Sequence, residues 1–442
     1  MIRRLRVPLR AVRATVLGWM GEWFFALFLF AGFYKMDTRL GFIQNRVDIT
    51  LLFLILSFLV FLYQFSRKSL AQKMPKGFVK AALFLLLLDA CLLVGLFISH
   101  NKGYGLDKTV KFIILTGWAF FGAGLLIPDF ISLRRFSWAI VTISTISALD
   151  AIGNYPGIGE IRFVTALGSN YIALARAGGL GLLAIISFLL PKERSILKKL
   201  FLWVMAGLQL FSALSAGARG PVLNLFLSLL VLLALSTRFL PRLKLDLLAW
   251  RIGVIALIIA IVIIILGQNL FSTLTIRMRI LMTVLGDSAI SRLDLYREAI
   301  RLWTNSPIWG GGPGHLGIAV QGEDVRLYPH NIVLELGAET GLIGVLLFGS
   351  AICIAFSTGF AGLRSSAGDA RLTARYLLIA GLFTLLNAMV SGDINDNRLL
   401  FTMVGLLSCA PRFQTNVGVR GIVTKARHSF YSARLYVSKE PK

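Results

Sequence analysis

The amino-acid sequence predicts an all-α polytopic membrane protein with about twelve transmembrane helices. Hydrophobic residues make up 57% of the 442-residue chain, and its mean hydropathy is +0.77. Many apolar runs reach about 18 residues or more, which is long enough for a helix to cross a bilayer. The runs are continuous, whereas the strands of a membrane barrel alternate over about ten residues, so helices are favoured.

The apolar runs divide the chain in order. We treat residues 1–442 as a single integral membrane domain, because most loops between the runs are short. The exception is the insert 268–332, whose length of about 65 residues is too great for a mere connection. The predicted spans, with boundaries good to about four residues, lie near 16–34, 48–65, 78–99, 109–127, 137–152, 170–190, 199–216, 221–236, 251–267, 333–357, 373–391 and 397–410.

The distribution of charge predicts the orientation. If the N-terminus is cytoplasmic, cytoplasmic segments carry about 30 of the 46 Lys and Arg residues. Basic residues accumulate in cytoplasmic loops, so both termini are predicted inside and the 268–332 insert in the periplasm. The net charge of +25 comes without a base-reading motif, and we expect no nucleic-acid partner. The basic tail 411–442 is expected on the cytoplasmic side, near anionic membrane lipid.

The periplasmic insert contains a predicted helix followed by a glycine-rich segment. Ser291 to Asp294 resembles a capping box, and the apolar spacing after it predicts an amphipathic helix at about 291–304 that lies flat on the membrane surface. In residues 307–314, glycines permit backbone conformations that other residues avoid. The amides of this segment either form an anion-binding concavity or belong to a flexible turn.

Two arginines on the outer side occupy unusual positions. Arg219 lies in the tight turn between the seventh and eighth spans, where orientation needs no charge. Arg292 falls in the first turn of the predicted amphipathic helix, where the helix dipole disfavours a cation. The position of Arg292 suggests an anionic partner, because a guanidinium group and a helix N-terminus would both attract phosphate. The alternatives are snorkelling for Arg219 and a lipid headgroup contact for Arg292.

The junction between the insert and the tenth span holds a candidate functional residue, His330. Pro329 disfavours helical backbone just before it, so a helix is predicted from about Asn331, with His330 on its first turn. The alternative is a solvated histidine on a packing helix. Three glycines are predicted to share a narrow face with His330 and to let neighbouring helices approach closely: Gly337, Gly341 and Gly344.

Acidic residues occur in one predicted outer turn and at two isolated positions. The outer turn is the fourth candidate for the site, after Arg219, Arg292 and His330. The carboxylates of the short turn 393–397 either position a sugar or pair with Arg398. Asp89 in the third span and Asp150 at the outer end of the fifth are single acids. A proton-coupled transporter is expected to pair such groups near the midplane, among broken helices and internal repeats. The sequence shows only scattered single acids, so transport is the second choice of function class.

Several chemistries lack their residues in this sequence. There is no glycine-rich phosphate loop with its lysine and no G-x-S-x-G elbow, which argues against nucleotide hydrolysis and serine hydrolysis. No histidine or cysteine set has metal-ligand spacing, and Cys91, Cys353 and Cys409 all fall inside apolar runs. We expect no metal, no cofactor and no disulfide.

The segment His330-Asn331, nine residues, then Gly341-Leu342-Ile343-Gly344 resembles the His-Asn-x9-Gly-x-x-Gly signature of bacterial O-antigen ligases and of the related O-antigen polymerases and protein O-oligosaccharyltransferases. The twelve spans, the long outer insert and the two outer arginines fit that family over most of the chain. Polymerases typically carry an Arg-x10-Gly motif in each of two outer loops. Here Arg301 to Gly312 fits one motif, whereas Arg162 and Arg176 fail to supply the other. Protein oligosaccharyltransferases usually append a soluble region, so a ligase is favoured.

The resemblance implies a bundle of the GT-C glycosyltransferase type in the bacterial inner membrane, active on the periplasmic side in lipopolysaccharide biosynthesis. The implied donor is undecaprenyl-diphosphate-linked O-antigen, and the acceptor is a sugar hydroxyl of lipid A-core. Arg219 and Arg292 are then expected to hold the diphosphate without a metal, and His330 to accept or orient the hydroxyl proton, with inversion at the anomeric carbon. Further substrate contacts are expected from Asn331, Asp393, Tyr171 and Arg301.

Overall fold

The computed structural model describes residues 9–66, 74–99, 102–155, 163–239, 292–365 and 368–414. All regular secondary structure in these ranges is helical, as predicted, and they contain no β-strand. The helices are α1 Leu9–Tyr34, α2 Ile49–Ser66, α3 Lys76–Ile98, α4 Gly103–Leu126, α5 Phe130–Gly153, α6 Tyr171–Lys192, α7 Ile196–Ser215, α8 Arg219–Phe239, α9 at 292–305, α10 His315–Gln321, α11 Ile332–Ser365, α12 Gly368–Ala388 and α13 Arg398–Ser408.

Eight of the described helices, α2 to α8 and α11, are long and apolar enough to cross a membrane. The first predicted span corresponds to a shorter apolar stretch, Trp19–Tyr34. The span predicted near 397–410 forms a helix of only 11 residues, Arg398–Ser408, or about 16 Å at 1.5 Å per residue, too short to cross alone. The span predicted near 251–267 and the tail after residue 414 lie outside the described residues. The described helices therefore agree with the polytopic class, and the number twelve stays a prediction.

The helices pack around an apolar core rich in phenylalanine. In this core α11 packs along α3 and against α12, and α8 also packs against α12. Small residues allow the rings to approach the helices, since a Cβ at Gly124 would lie 2.4 Å from the Phe78 ring. This packing gathers the first residues of α6 and α8 and the chain after α12 at one end of the bundle, where they line a common cavity.

Helix α11 is broken at Gly341. The backbone there has φ 63° and ψ −159°, a combination essentially restricted to glycine. The break frees backbone groups on both sides, and the 307–312 segment inserts to use them. Four hydrogen bonds form: Gly311 N to Ala338 O at 2.8 Å, Gly312 N to Glu339 O at 2.9 Å, Leu342 N to Pro307 O at 2.8 Å and Ile343 N to Ile308 O at 3.4 Å.

The break changes the interpretation of two sequence features. The predicted continuous face through Gly337, Gly341 and Gly344 is wrong beyond Gly341, because that residue is not helical. The glycine-rich segment is neither an open anion site nor a free turn, since its amides bond to α11. One further amide, Gly314 N, donates to the Glu339 carboxylate at 2.9 Å.

Helix α9 packs on protein rather than presenting its whole apolar face to lipid. Its Ala299 and Leu302 are buried against α10 and α11, while Leu293 and Ile300 stay about half exposed, at 53% and 48%. Ser291, the predicted cap, lies outside the described residues. The docking of α9 fixes the position of Arg292 relative to α11, which carries the signature motif.

Candidate functional site

A cavity of about 160 Å³ brings together Arg219, Arg292 and Tyr171. Three of the predicted site residues therefore meet, although they lie far apart in sequence. The walls come from the first turn of α6, the turn between α7 and α8, α9, and the chain after α12. The remaining lining residues are Ile172, Gly217, Ala218, Gly220, Pro221, Val390 and Ser391.

Arg219 is the first residue of α8. The preceding turn needs a positive φ, and Gly217 supplies it at 73°. Among the described residues the Arg219 side chain has no hydrogen-bond or ion-pair partner. The positive end of the α8 dipole faces the same cavity as its guanidinium group, so both favour an anion.

Arg292 reaches the cavity from α9. Its Nη1 donates to the Val390 carbonyl at 3.3 Å, and no described carboxylate pairs with it. Tyr171 stands at the cavity wall with its ring stacked on Phe163 at 3.9 Å. The cavity thus holds two guanidinium groups without a counter-ion in the described protein, an arrangement suited to a phosphate ligand.

Arg176, on α6, is a site neighbour that the sequence interpretation missed. Its Nη2 donates to the carbonyls of Asn387 at 2.8 Å and Ser391 at 2.7 Å. These bonds fix the chain after α12, which holds Arg292 through Val390 and lines the cavity. The signal for it was an arginine inside a predicted span, because such charges are rare and mark functional regions.

His330 lies before α11 and not on its first turn, so that prediction is wrong. The side chain of Asn331 accepts from the amides of Val333 at 3.0 Å and Leu334 at 3.1 Å. Asn331 thereby caps the helix and leaves His330 outside it, with a left-handed φ of 55°. The imidazole packs edge-on against Tyr328 at 4.6 Å. Its Nδ1 is buried and has no hydrogen-bond partner in the described chain.

The environment of His330 keeps its imidazole neutral. Burial lowers the pKa of His330 to about 4; nearby Arg292, Arg176 and Arg326 act in the same direction, and Asp396 opposes them. At neutral pH the ring therefore has a free lone pair and can accept a proton. The same interactions show that His330 lies within electrostatic reach of Arg292, one of the cavity residues.

A pH profile tests this state of His330. If it is a base, kcat/KM falls only as pH drops through about 4 in wild type, because the active form is the neutral one and kcat/KM reports the free enzyme. We expect His330→Gln, which hydrogen-bonds but cannot abstract a proton at neutral pH, to lose activity. Near-wild-type turnover of His330→Gln with an unchanged acid limb contradicts proton abstraction and leaves a positioning role.

In the described structure, neither carboxylate of the acidic turn after α12 pairs with Arg398, so that sequence alternative is wrong. Asp393 is 1% exposed and lies 3.7 Å from Lys108 Nζ, and it accepts a hydrogen bond from the Tyr104 hydroxyl. Asp396 instead pairs with Arg326 at 2.8 Å. Arg398 donates to the Phe28 carbonyl at 3.2 Å and not to either carboxylate. Direct contact between Asp393 and a sugar thus needs movement, whereas Asp396 is exposed.

Arg301, a predicted substrate contact, and Asp150, one of the single acids, both form ion pairs. Arg301 pairs with Glu298 at 2.5 Å and lies about 180° around α9 from Arg292, away from the cavity. Asp150 binds Arg39 at 2.7 Å and accepts from the Leu167 amide at 2.7 Å, so it joins the segment after α1 to the segment before α6. In the described residues no group of three His, Cys, Asp or Glu side chains is arranged to hold a metal ion.

A family model described as O-antigen ligase matches residues 200–349. The chain carries an O-antigen ligase family domain. The matched region contains Arg219, Arg292, His330 and the break at Gly341. No curated protein sequence matches the chain.

Proposed function

We propose that this protein transfers O-antigen polysaccharide from undecaprenyl diphosphate to a sugar hydroxyl of lipid A-core, at the periplasmic face of the inner membrane. One observation carries the proposal: Arg219 and Arg292 line one cavity, and neither has a carboxylate partner in the described chain. The match of residues 200–349 to the O-antigen ligase family model supports ligase-type activity in general. The identities of donor and acceptor, and the orientation in the membrane, belong to the proposal.

The donor diphosphate occupies the arginine cavity in this proposal. A lipid diphosphate leaves already charged, so its departure needs cations and no proton. Two guanidinium forks and the N-terminus of α8 supply that stabilisation where negative charge increases in the transition state. Because these groups stabilise the leaving diphosphate, the proposed reaction requires no metal ion. Tyr171, at the cavity wall, is then placed to contact the donor.

The acceptor hydroxyl is activated by His330. As its oxygen bonds to the anomeric carbon, the bond from that carbon to the diphosphate breaks, and the hydroxyl proton passes to the neutral imidazole. A single displacement of this kind inverts the anomeric centre. Asn331 contributes by capping α11, which fixes the chain that carries His330.

A reconstituted reaction tests the function. Purified protein is mixed with undecaprenyl-diphosphate-linked polysaccharide and lipid A-core in the presence of a chelator. We expect core-linked polysaccharide and free undecaprenyl diphosphate in equal amounts. Glycan lengthened on the carrier indicates an O-antigen polymerase, and glycan joined to an added protein acceptor indicates a protein O-oligosaccharyltransferase. Movement of intact donor across proteoliposomes without a covalent product supports a transporter.

A further inference from the structure

The ammonium group of Lys108 is enclosed by three carboxylates in the interior of the bundle. Its Nζ lies 2.5 Å from Glu335, 2.5 Å from Glu339 and 3.7 Å from Asp393. Lys108 is 1% exposed, as are the side chains of Glu335 and Asp393. Burying charges costs several kcal/mol per ion unless they are paired and hydrogen-bonded, so each member depends on the others.

The cluster joins three parts of the chain that are far apart in sequence. Lys108 belongs to α4, and Glu335 and Glu339 are one turn apart on α11. Asp393 belongs to the turn after α12. The same carboxylates also accept backbone amides, because Ile394 N donates to Glu335 at 3.2 Å and Gly314 N donates to Glu339 at 2.9 Å.

Contacts lead from this cluster to both halves of the candidate site. Asp393 follows Ser391, a cavity residue, by two positions. Asp393 also lies 3.6 Å from Arg326, whose guanidinium covers the Tyr328 ring at 5.3 Å. Tyr328 in turn packs against His330. The cluster is therefore linked by contacts to His330 and by the chain itself to the arginine cavity.

We propose that Lys108 is a positioning residue that serves as a built-in cation, doing here what a structural metal ion does among carboxylates elsewhere. It holds α4, α11 and the 393–397 turn together, and so sets the distance between His330 and the arginines. The effect on catalysis rests on the proposed glycosyl transfer, whereas the effect on the amides of Ile394 and Gly314 does not.

Hydrogen exchange tests, without any substrate, whether Lys108 holds α4, α11 and the 393–397 turn together. In full-length Lys108→Met, we expect faster amide exchange around 393–396 and 313–316, with the rest of the bundle unchanged. Lys111→Met is the matched control, because Lys111 lies on the same helix, is 52% exposed and, within the described part of the chain, forms an ion pair with Asp107 alone. Exchange in Lys108→Met that equals wild type in both segments overturns the proposal.

Steady-state kinetics and chemical rescue test the effect of Lys108 on the rate of glycan transfer. A 1 Å misplacement can cost about 10²-fold in rate, so we expect kcat of Lys108→Met to fall by about that factor with little change in KM for the donor. Lys108→Arg should recover part of the loss. With Lys108→Ala, added n-propylammonium should restore transfer, because it replaces the missing ammonium, while tetramethylammonium, which has no N–H donor, should not.

A charge-reduced variant keeps the test decisive if Lys108→Met fails to fold. Lys108→Met/Glu339→Gln leaves one fewer carboxylate unpaired, and its folded fraction is measured by size-exclusion chromatography. Normal kcat per folded molecule, with normal exchange at Ile394, means that Lys108 only supports folding and refutes the proposal. Absence of transfer by wild type refutes the proposed function instead, while the exchange experiment still decides the role of Lys108.

Discussion

Replacing Arg219 or Arg292 by alanine is expected to lower the rate of glycan transfer by about 10²–10³-fold, the usual cost of removing one charge-assisted donor from a developing anion. Both guanidinium groups line the same cavity and lack a carboxylate partner in the described chain. Their removal therefore breaks no ion pair with a described residue, and folding should be little affected. The loss should appear with purified, correctly inserted protein and saturating acceptor.

Two comparisons sharpen this experiment. Arg→Lys at either position should rescue poorly, because a point charge cannot reproduce the bidentate fork. Arg297→Ala is the control, since Arg297 lies on the same helix as Arg292, is 78% exposed and pairs with Asp294. Wild-type rates in both cavity variants would show that the diphosphate binds elsewhere.

The sequence predicted the helices well where hydrophobicity alone determines them. Spans two to eight and ten correspond to α2 to α8 and α11, because a long apolar run has few other solutions in a bilayer. The break at Gly341 was not predictable in this way. Its residues continue an apolar helical pattern, and the break exists because a segment about 30 residues earlier in the chain inserts into it.

The order of spans and loops was enough to predict which residues of the candidate site lie on the same side of the bundle. Arg219, Arg292 and Tyr171 were assigned to the outer side by loop order, and the structure places them on one cavity. The sequence placed His330 at the junction before α11 but predicted it on the first turn of the helix. The structure has it outside the helix, because the Asn331 side chain caps α11.

The ionic cluster was missed because its pairing is non-local. Lys108 precedes Glu335 by 227 positions, and no spacing rule connects them. A usable signal was present, however. Lys108, Glu335 and Glu339 are charges within or beside apolar runs, and such charges usually find one another inside a bundle.

The glycine at the break of α11 should tolerate no side chain. At Gly341 an alanine Cβ would lie 2.3 Å from both C and O of Ile308, in a backbone conformation essentially restricted to glycine. We expect Gly341→Ala either to expel the 307–312 segment or to straighten α11. Straightening would return the Leu342 amide to Ala338 O, which Gly311 now uses.

Because the 307–312 segment follows α9 directly, we expect either outcome to move α9, and with it Arg292, relative to His330. The conformational strain alone is about 1–3 kcal/mol. A shift of Arg292 by about 1 Å should lower the transfer rate by about 10²-fold. Gly349→Ala on the same helix is the matched control, because nothing lies within 4 Å of its added Cβ, and alanine there favours helix by up to about 1 kcal/mol. Thermal unfolding, protease cleavage within 307–312 and transfer rate are measured for both variants. If Gly341→Ala matches Gly349→Ala in all three, the inserted segment is not what holds Arg292 beside the histidine.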